Sequence, residues 1–444
     1  MLEVLLLIIG CILIIQYLFF GQTVTSPSIV FTFSLFFSAM VSCILQEKYS
    51  LNIELDTLLT IISGIAVFSL GEWISEKIIK TKGKSILRNS NWSLKRPFLI
   101  KTWMIYMYVV IGFLAIITIY QQVATLAESI GGGQIDADKF LMYAQLGKAN
   151  ELSPSEIYPW WVLMFQIVNS SLCFVALYCY LYNSIFFENL KVRTLYFLLP
   201  TVVYVFMCVF MMSRSGLIEL VVYFFTVISL MWTIKYGRIK ANRRIFLYGI
   251  LLMIGFGAIF LYMRYLRGDG GHFDLVEDIF AYFGSEIPGL DAWMQGRFEL
   301  KEPYEQYIGS HTLLGIYYFL GKIGFDVPSI SRHMQFVFFN NNGYTNVYTI
   351  FLRYYMDFSY IGMLMIISLL GILYGYMHRF ILLHKSIGVV LIWYSSLILA
   401  VYYSSVSELF FSSMIHPIYI LRLIFSYVFL KMFMHISMEK SLGK

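Results

Sequence analysis

The sequence predicts an all-α polytopic membrane protein, and three observations carry that prediction. First, 59% of the residues are hydrophobic and only 13% are charged, with a mean hydropathy of +0.73, whereas a soluble domain carries about 25% charged residues. Second, apolar runs recur along the whole chain at about 20 residues each, the length that crosses roughly 30 Å of hydrocarbon. Third, the polar residues are not spread evenly: 264–345 is one mixed stretch of 82 residues in an otherwise apolar chain. An outer-membrane barrel is excluded, because its strands would alternate apolar and polar residues over about 10 positions.

Taken in order, Met1-Leu-Glu-Val lacks the basic start of a cleaved signal peptide and leads into an apolar run to Phe20, expected as a retained first span. Further spans are expected near 27–45, 56–74, 99–120, 159–182, 195–212, 216–234, 245–263, 356–377, 387–403 and 416–434. That makes about 11 transmembrane helices, within a range of 10–12. Residues near 335–355 suit an additional short or re-entrant helix. The chain thus divides into 1–263, spans with short loops; 264–345, one large loop; and 346–444, the closing spans.

Lys and Arg set the expected orientation. Segment 75–101 carries eight basic residues against Glu76, and 235–244 carries Lys235, Arg238, Lys240, Arg243 and Arg244, so both are expected inside. Counting spans from either puts the C-terminus inside and the N-terminus outside. It also puts 46–55, 121–158, 213–215, 264–345 and 404–415 outside. The large loop agrees, with six basic residues against ten acids.

Several function classes drop out. The net charge of +6 sits in short inter-helix loops and reports topology, so no nucleic-acid partner is implied. The five cysteines all fall in apolar runs without a CxxC, so neither a redox nor a zinc role is expected. No HExxH, P-loop, GxSxG or EF-hand loop occurs. Asp136-Ala-Asp138 matches a metal-nucleotide DxD pattern, but on the outer side nucleotide sugars are absent. Tyr158-Pro-Trp160-Trp161 fits an interfacial aromatic belt. No metal and no cofactor are expected.

Three constellations fall on the expected outer side. Arg214, in Ser213-Arg214-Ser215-Gly216, lies between two spans almost without a loop. An arginine at a membrane boundary is costly unless it snorkels or is paired, and its planar fork suits phosphate oxygens. Arg264 and Arg267 share a face where the eighth span exits. They suit a diphosphate clamp, or equally anionic headgroups at the interface. Asn346, Thr349, Arg353 and Asp357 are spaced 3, 4 and 4, which on a helix puts them within an arc of about 80° as one polar stripe. Arg353 and Asp357 are then placed to pair at i, i+4. Histidine is the natural base near neutral pH: His272, His311, His333 and His416 are available, with His311 and the Arg332-His333 pair best placed.

A boundary S-R-S-G, then a large loop, then N-V-Y-T…D-F-x-x-x-G (Asn346 to Thr349, Asp357, Phe358, Gly362) resembles the Wzy-type O-antigen and oligosaccharide repeat-unit polymerases, relatives of the O-antigen ligases. The resemblance covers roughly 195–380. It departs at Ser359-Tyr360, where many relatives have a glycine after the D-F pair.

That resemblance implies a metal-independent glycosyltransferase of the lipid-dependent, GT-C-like kind in the bacterial inner membrane. It implies polymerisation, at the periplasmic face, of repeat units carried on undecaprenyl diphosphate as donor and acceptor, for O-antigen or capsule. Membrane lipid is the other expected partner, and a chain-length regulator is left open. In this scheme Arg214, Arg264 and Arg267 bind diphosphate, and His311 or a buried Asp357 takes the acceptor's proton. Asn346, Thr349 and Arg353 orient sugar or phosphate. The middle of the loop serves as a lid or acceptor platform. An O-antigen ligase shares the same donor chemistry, and a lipid-linked oligosaccharide flippase is the alternative from another class. A flippase tends to show matching halves, and here the large loop has no counterpart.

Overall fold

A computed structural model describes residues 1–20, 24–86, 96–131, 159–211, 213–237, 245, 247, 275–297, 309–327, 334–339 and 343–442. In chain order its helices are α1 (Leu2–Phe19), α2 (Pro27–Ile44), α3 (Gln46–Tyr49), α4 (Leu55–Ile86), α5 (Thr102–Gly131), α6 (Trp160–Phe186), α7 (Leu199–Phe210) and α8 (Arg214–Tyr236). There follow α9 (Leu275–Phe283), α10 (Glu286–Met294) and α11 (Leu314–Lys322). The two-residue strands β1 (Val337–Phe338) and β2 (Tyr344–Thr345) come next, then α12 (Ile350–His384), α13 (Val389–Leu397), α14 (Leu399–Tyr402) and α15 (Pro417–Leu442).

Among the described residues, eight helices are long and apolar enough to cross a membrane, and Leu195–Phe210 and Val389–Tyr402 are shorter apolar helices. The chain is a helical multi-pass membrane protein. Each of these ten stretches coincides with an expected span; the expected span 245–263 falls almost wholly outside the described residues. The expected helix near 335–355 is not formed. β1 and β2 pair antiparallel, with Val337 opposite Thr345, and α12 begins only at Ile350.

The chain forms two compact units, Met1–Trp92 with Asp274–Ser386 and Leu397–Ile420, and Ser93–Phe273 with Ile387–Ser396 and Leu421–Lys444. In the first, α4 and α12 pack with their backbones nearly touching. A Cβ at Gly71 would collide with the Ser368 carbonyl, and one at Gly371 with the Phe68 carbonyl. Gly371 and Gly375 form a GxxxG step. Lipid gives no hydrophobic drive to pair helices, so close van der Waals approach across small residues does that work. Phe31 stacks on Phe68 at 4.3 Å beside this seam.

Two acid sites inside the first unit are matched by partners. Glu72 accepts from Ser26 Oγ at 2.8 Å and from the Ser28 amide at 2.8 Å, closing the N-terminus of α2. Arg379 pairs with Glu76 at 3.0 Å. Without water, each such group needs an internal partner.

The described part of the large loop is anchored onto this unit. Ser38 of α2 donates to Glu286 at 2.9 Å, and Ser42 donates to the Gly284 carbonyl at 2.7 Å. Asp291 takes the Glu54 amide at 2.7 Å and the Thr57 hydroxyl at 2.8 Å, at the start of α4. Ser285 and Thr345 hydroxyls meet at 2.9 Å, tying α10 to the hairpin. Burial in apolar surroundings pushes the Glu286 carboxyl up to about 8.

In the second unit, Asn183 pins the backbone of Phe98 through both of its amide atoms, at 2.9 and 2.8 Å. Glu219 and Arg422 pair at 2.7 Å, with the guanidinium 4.3 Å above the Phe174 ring. The five cysteines are free.

Candidate functional site

The site forms where the large loop runs into α12. Thr349 is the N-cap of α12 with extended backbone (φ −60°, ψ 164°), and its side chain makes no capping bond. The helix therefore starts after Asn346, and the stripe expected from Asn346 to Asp357 is corrected: only Arg353 and Asp357 lie on the helix. Asn346 and Thr349 reach the same place from the connection behind β2. The Ile350 amide donates to the Ser404 carbonyl at 2.8 Å, which draws 404–408 alongside.

α12 breaks its own regularity at Ser359, with φ 58° and ψ −176°. This separates a first segment, Ile350–Phe358, from Tyr360–His384, which alone is long enough to cross a bilayer. Both ionisable residues precede the break, which explains why the helix starts before the expected 356–377.

Arg353 and Asp357 together grip one turn of the loop. Asp357 accepts the amides of His311 at 3.3 Å and Thr312 at 2.6 Å. Arg353 Nη1 donates to the His311 carbonyl at 2.9 Å, and Thr312 Oγ1 donates to the Arg353 carbonyl at 3.3 Å. Gly309, at φ 77°, supplies the left-handed step that turns the chain into this contact. His311 is 3% exposed. Burial lowers its pKa, opposed by Asp357 and reinforced by Arg353, so the ring is neutral at neutral pH and has a lone pair for a proton.

Beside this clasp lies a cavity of about 240 Å³, lined among others by Asn346, Tyr348, Thr349, Arg353, Ser407 and Glu408. Glu408 is 1% exposed. Its carboxylate accepts from Tyr354 OH at 3.0 Å and from the amides of Phe411 at 2.7 Å and Ser412 at 2.9 Å, at the start of a π-helical turn, Phe410–Met414. Burial raises its pKa against the pull of those donors. Sequence reading passed over Glu408. The available signal was its isolation, as the lone acid between Asp357 and Glu439 in an apolar stretch.

Arg214 is the first residue of α8, half-buried, in the second unit. Its turn is tight: Ser213 Oγ accepts the Gly216 amide at 3.3 Å, and a Cβ at Gly216 would meet Cys208 Sγ at 2.8 Å. Arg264, Arg267, His272, Arg332, His333, Asp136 and Asp138 lie outside the described residues. The structure thus gathers His311, Asn346, Thr349, Arg353 and Asp357 in one place, and Arg214 belongs to the other unit. His416 packs against α11, its ring edge-on to Phe319 at 6.4 Å and close to Gly315. Among the described residues no group of three or more His, Cys, Asp or Glu is placed to hold a metal.

Neither a protein-family model, nor a curated protein, nor a solved structure matches this chain.

Proposed function

We propose that the protein is a lipid-dependent glycosyltransferase that polymerises oligosaccharide repeat units carried on undecaprenyl diphosphate. The face of the membrane bearing the large loop is the periplasmic one, and the carrier arrives through the bilayer. The observation that supports this reading is the clasp: Arg353 and Asp357, one turn apart, hold a neutral, buried histidine beside a polar cavity where a loop meets a span.

In the reaction, an acceptor hydroxyl oxygen attacks C1 of the donor's reducing-end sugar. The C1–O bond to the diphosphate breaks, and its electron pair leaves with the carrier phosphate. The acceptor's proton passes to His311, whose neutral imidazole is already in the basic form. Asp357, with both carboxylate oxygens engaged by loop amides, acts as a positioning residue for His311. Arg214, with Arg264 or Arg267, takes the charge that grows on the diphosphate, and a fixed donor of this kind is worth about 2.7–4 kcal/mol in other enzymes.

Arg214→Glu tests the reading in cells. The expected outcome is loss of polymer with single-repeat-capped lipopolysaccharide retained. Complete loss of capped lipopolysaccharide would point to a ligase instead, and normal long polymer would defeat the assignment.

A further inference from the structure

We propose that the cavity at the N-terminus of α12 is a subsite for an oxyanion on the ligand, a phosphate or a sugar carboxylate, held by Arg353 and the Thr349 hydroxyl. Its place in a glycosyl transfer rests on the function proposed above; its preference for an anion does not.

Three observations carry it. The cavity opens at the N-terminus of the first segment of α12, Ile350–Phe358, whose aligned peptide dipoles and unpaired amides place partial positive charge there. Arg353 lines the cavity in the first turn of that helix. A cation there is set against the helix dipole, an arrangement a bound anion would relieve.

The third observation, independent of the helix, is Thr349. Its side chain is 1% exposed and lines the cavity, yet Oγ1 has no hydrogen-bond partner among the described residues. A hydroxyl at an N-cap normally turns back onto its own helix, and a buried hydroxyl left unpaired costs about 1–3 kcal/mol. This one makes neither bond, in the wall of the space a ligand atom would occupy.

Glu408 is the acidic group on the wall, and its place fits rather than opposes an anion. Both carboxylate oxygens are taken by donors of their own, Tyr354 OH and the amides of Phe411 and Ser412. Asn346 also lines the cavity, and its side-chain amide is a further donor there. At about 240 Å³ the space is below the 300–1,000 Å³ of drug-sized sites, and suits one charged group with at most a single sugar ring.

The test uses the full-length protein in nanodiscs of neutral lipid, titrated with inorganic pyrophosphate, glucuronate and glucose. One of the two anions is expected to bind more tightly than glucose, with an affinity that falls as sodium chloride is added. Thr349→Val should weaken that binding about tenfold or more while leaving the melting temperature unchanged, since Oγ1 has no bond to lose. Pyrophosphate as the tighter ligand assigns the subsite to a phosphate group, and glucuronate assigns it to an acidic sugar. Glucose binding as well as both anions, or Thr349→Val binding like the parent, overturns the proposal. Arg214→Glu making normal polymer while the anion still binds would sink the proposed function and leave the subsite standing.

Discussion

Arg353 donates to the backbone carbonyl of His311 at 2.9 Å, so the guanidinium holds the histidine by its main chain. The imidazole takes no part in that bond. Asp357 holds the amide of the same residue at 3.3 Å. Both backbone groups of His311 are thus fixed from one face of α12, across more than 40 residues of intervening chain, and the loop's position becomes a property of the helix.

Arg353→Lys should loosen this grip although it keeps the charge. A lysine is a point charge without the planar fork, and it cannot both face the cavity and reach the His311 carbonyl from the same side chain. The expected cost is about 1–3 kcal/mol of stability, the worth of a hydrogen bond to a charged group, with loss of polymer. Thermal melting of the purified protein reads the first and the lipopolysaccharide ladder the second. An unchanged melt would show that the bond does not fasten the loop.

The Glu286 carboxyl, raised to about 8 from 4.5, gives a pH dependence of defined sign. The folded protein favours the protonated form, so this stabilising contribution is complete below about pH 4.5 and is lost as pH rises through about 8. Glu286→Gln keeps a neutral group that can still accept from Ser38. It should melt higher than the parent at pH 8.5, by an amount on the order of a few kcal/mol, and no higher at pH 4.5. Equal melts at both values would mean that the carboxyl is ionised in the fold.

Gly371→Leu should disrupt the α4–α12 seam, because the added side chain starts from a Cβ that already collides with the Phe68 carbonyl. Overpacking costs about 1–3 kcal/mol where side chains can shift. Here the obstacle is backbone, so the protein should fail to accumulate in the membrane. Gly388→Leu is the control, because a Cβ there meets nothing within 4 Å; its membrane abundance, read by immunoblot, should stay at the parent level.

Spans were legible because each is a long apolar run, and membrane length fixes what such a run must be. The residues of the clasp were legible as well, since ionisable side chains stand out against an apolar background. Their arrangement was not. Helical spacing put Asn346, Thr349, Arg353 and Asp357 on one stripe, but the β-hairpin and the N-cap at Thr349 begin the helix four residues after Asn346. The four converge through a turn of chain instead. Nor could spacing bring His311 to Asp357, or Glu408 to Tyr354, because those contacts depend on how distant segments pack. Glu286 and Asp291 looked like ordinary loop acids. Only the packing of α10 against α2 and α4 shows that both are buried.

Ser359 carries a backbone strain that two substitutions can read. It adopts φ 58° and ψ −176°, a region almost confined to glycine, and a non-glycine residue held near it costs about 1–3 kcal/mol. Ser359→Gly should therefore stabilise the protein, less the extra entropy a glycine gives the unfolded chain, which is about 0.5–1 kcal/mol. The net expectation is a gain of about 1 kcal/mol, read as a higher unfolding midpoint in denaturant, with polymer length unchanged. Ser359→Val should do the reverse, since a β-branched side chain tolerates positive φ worst. If glycine destabilises and valine does not, Ser359 is not in this conformation. The break that sets Arg353 and Asp357 apart from the spanning segment would then have to lie elsewhere in α12.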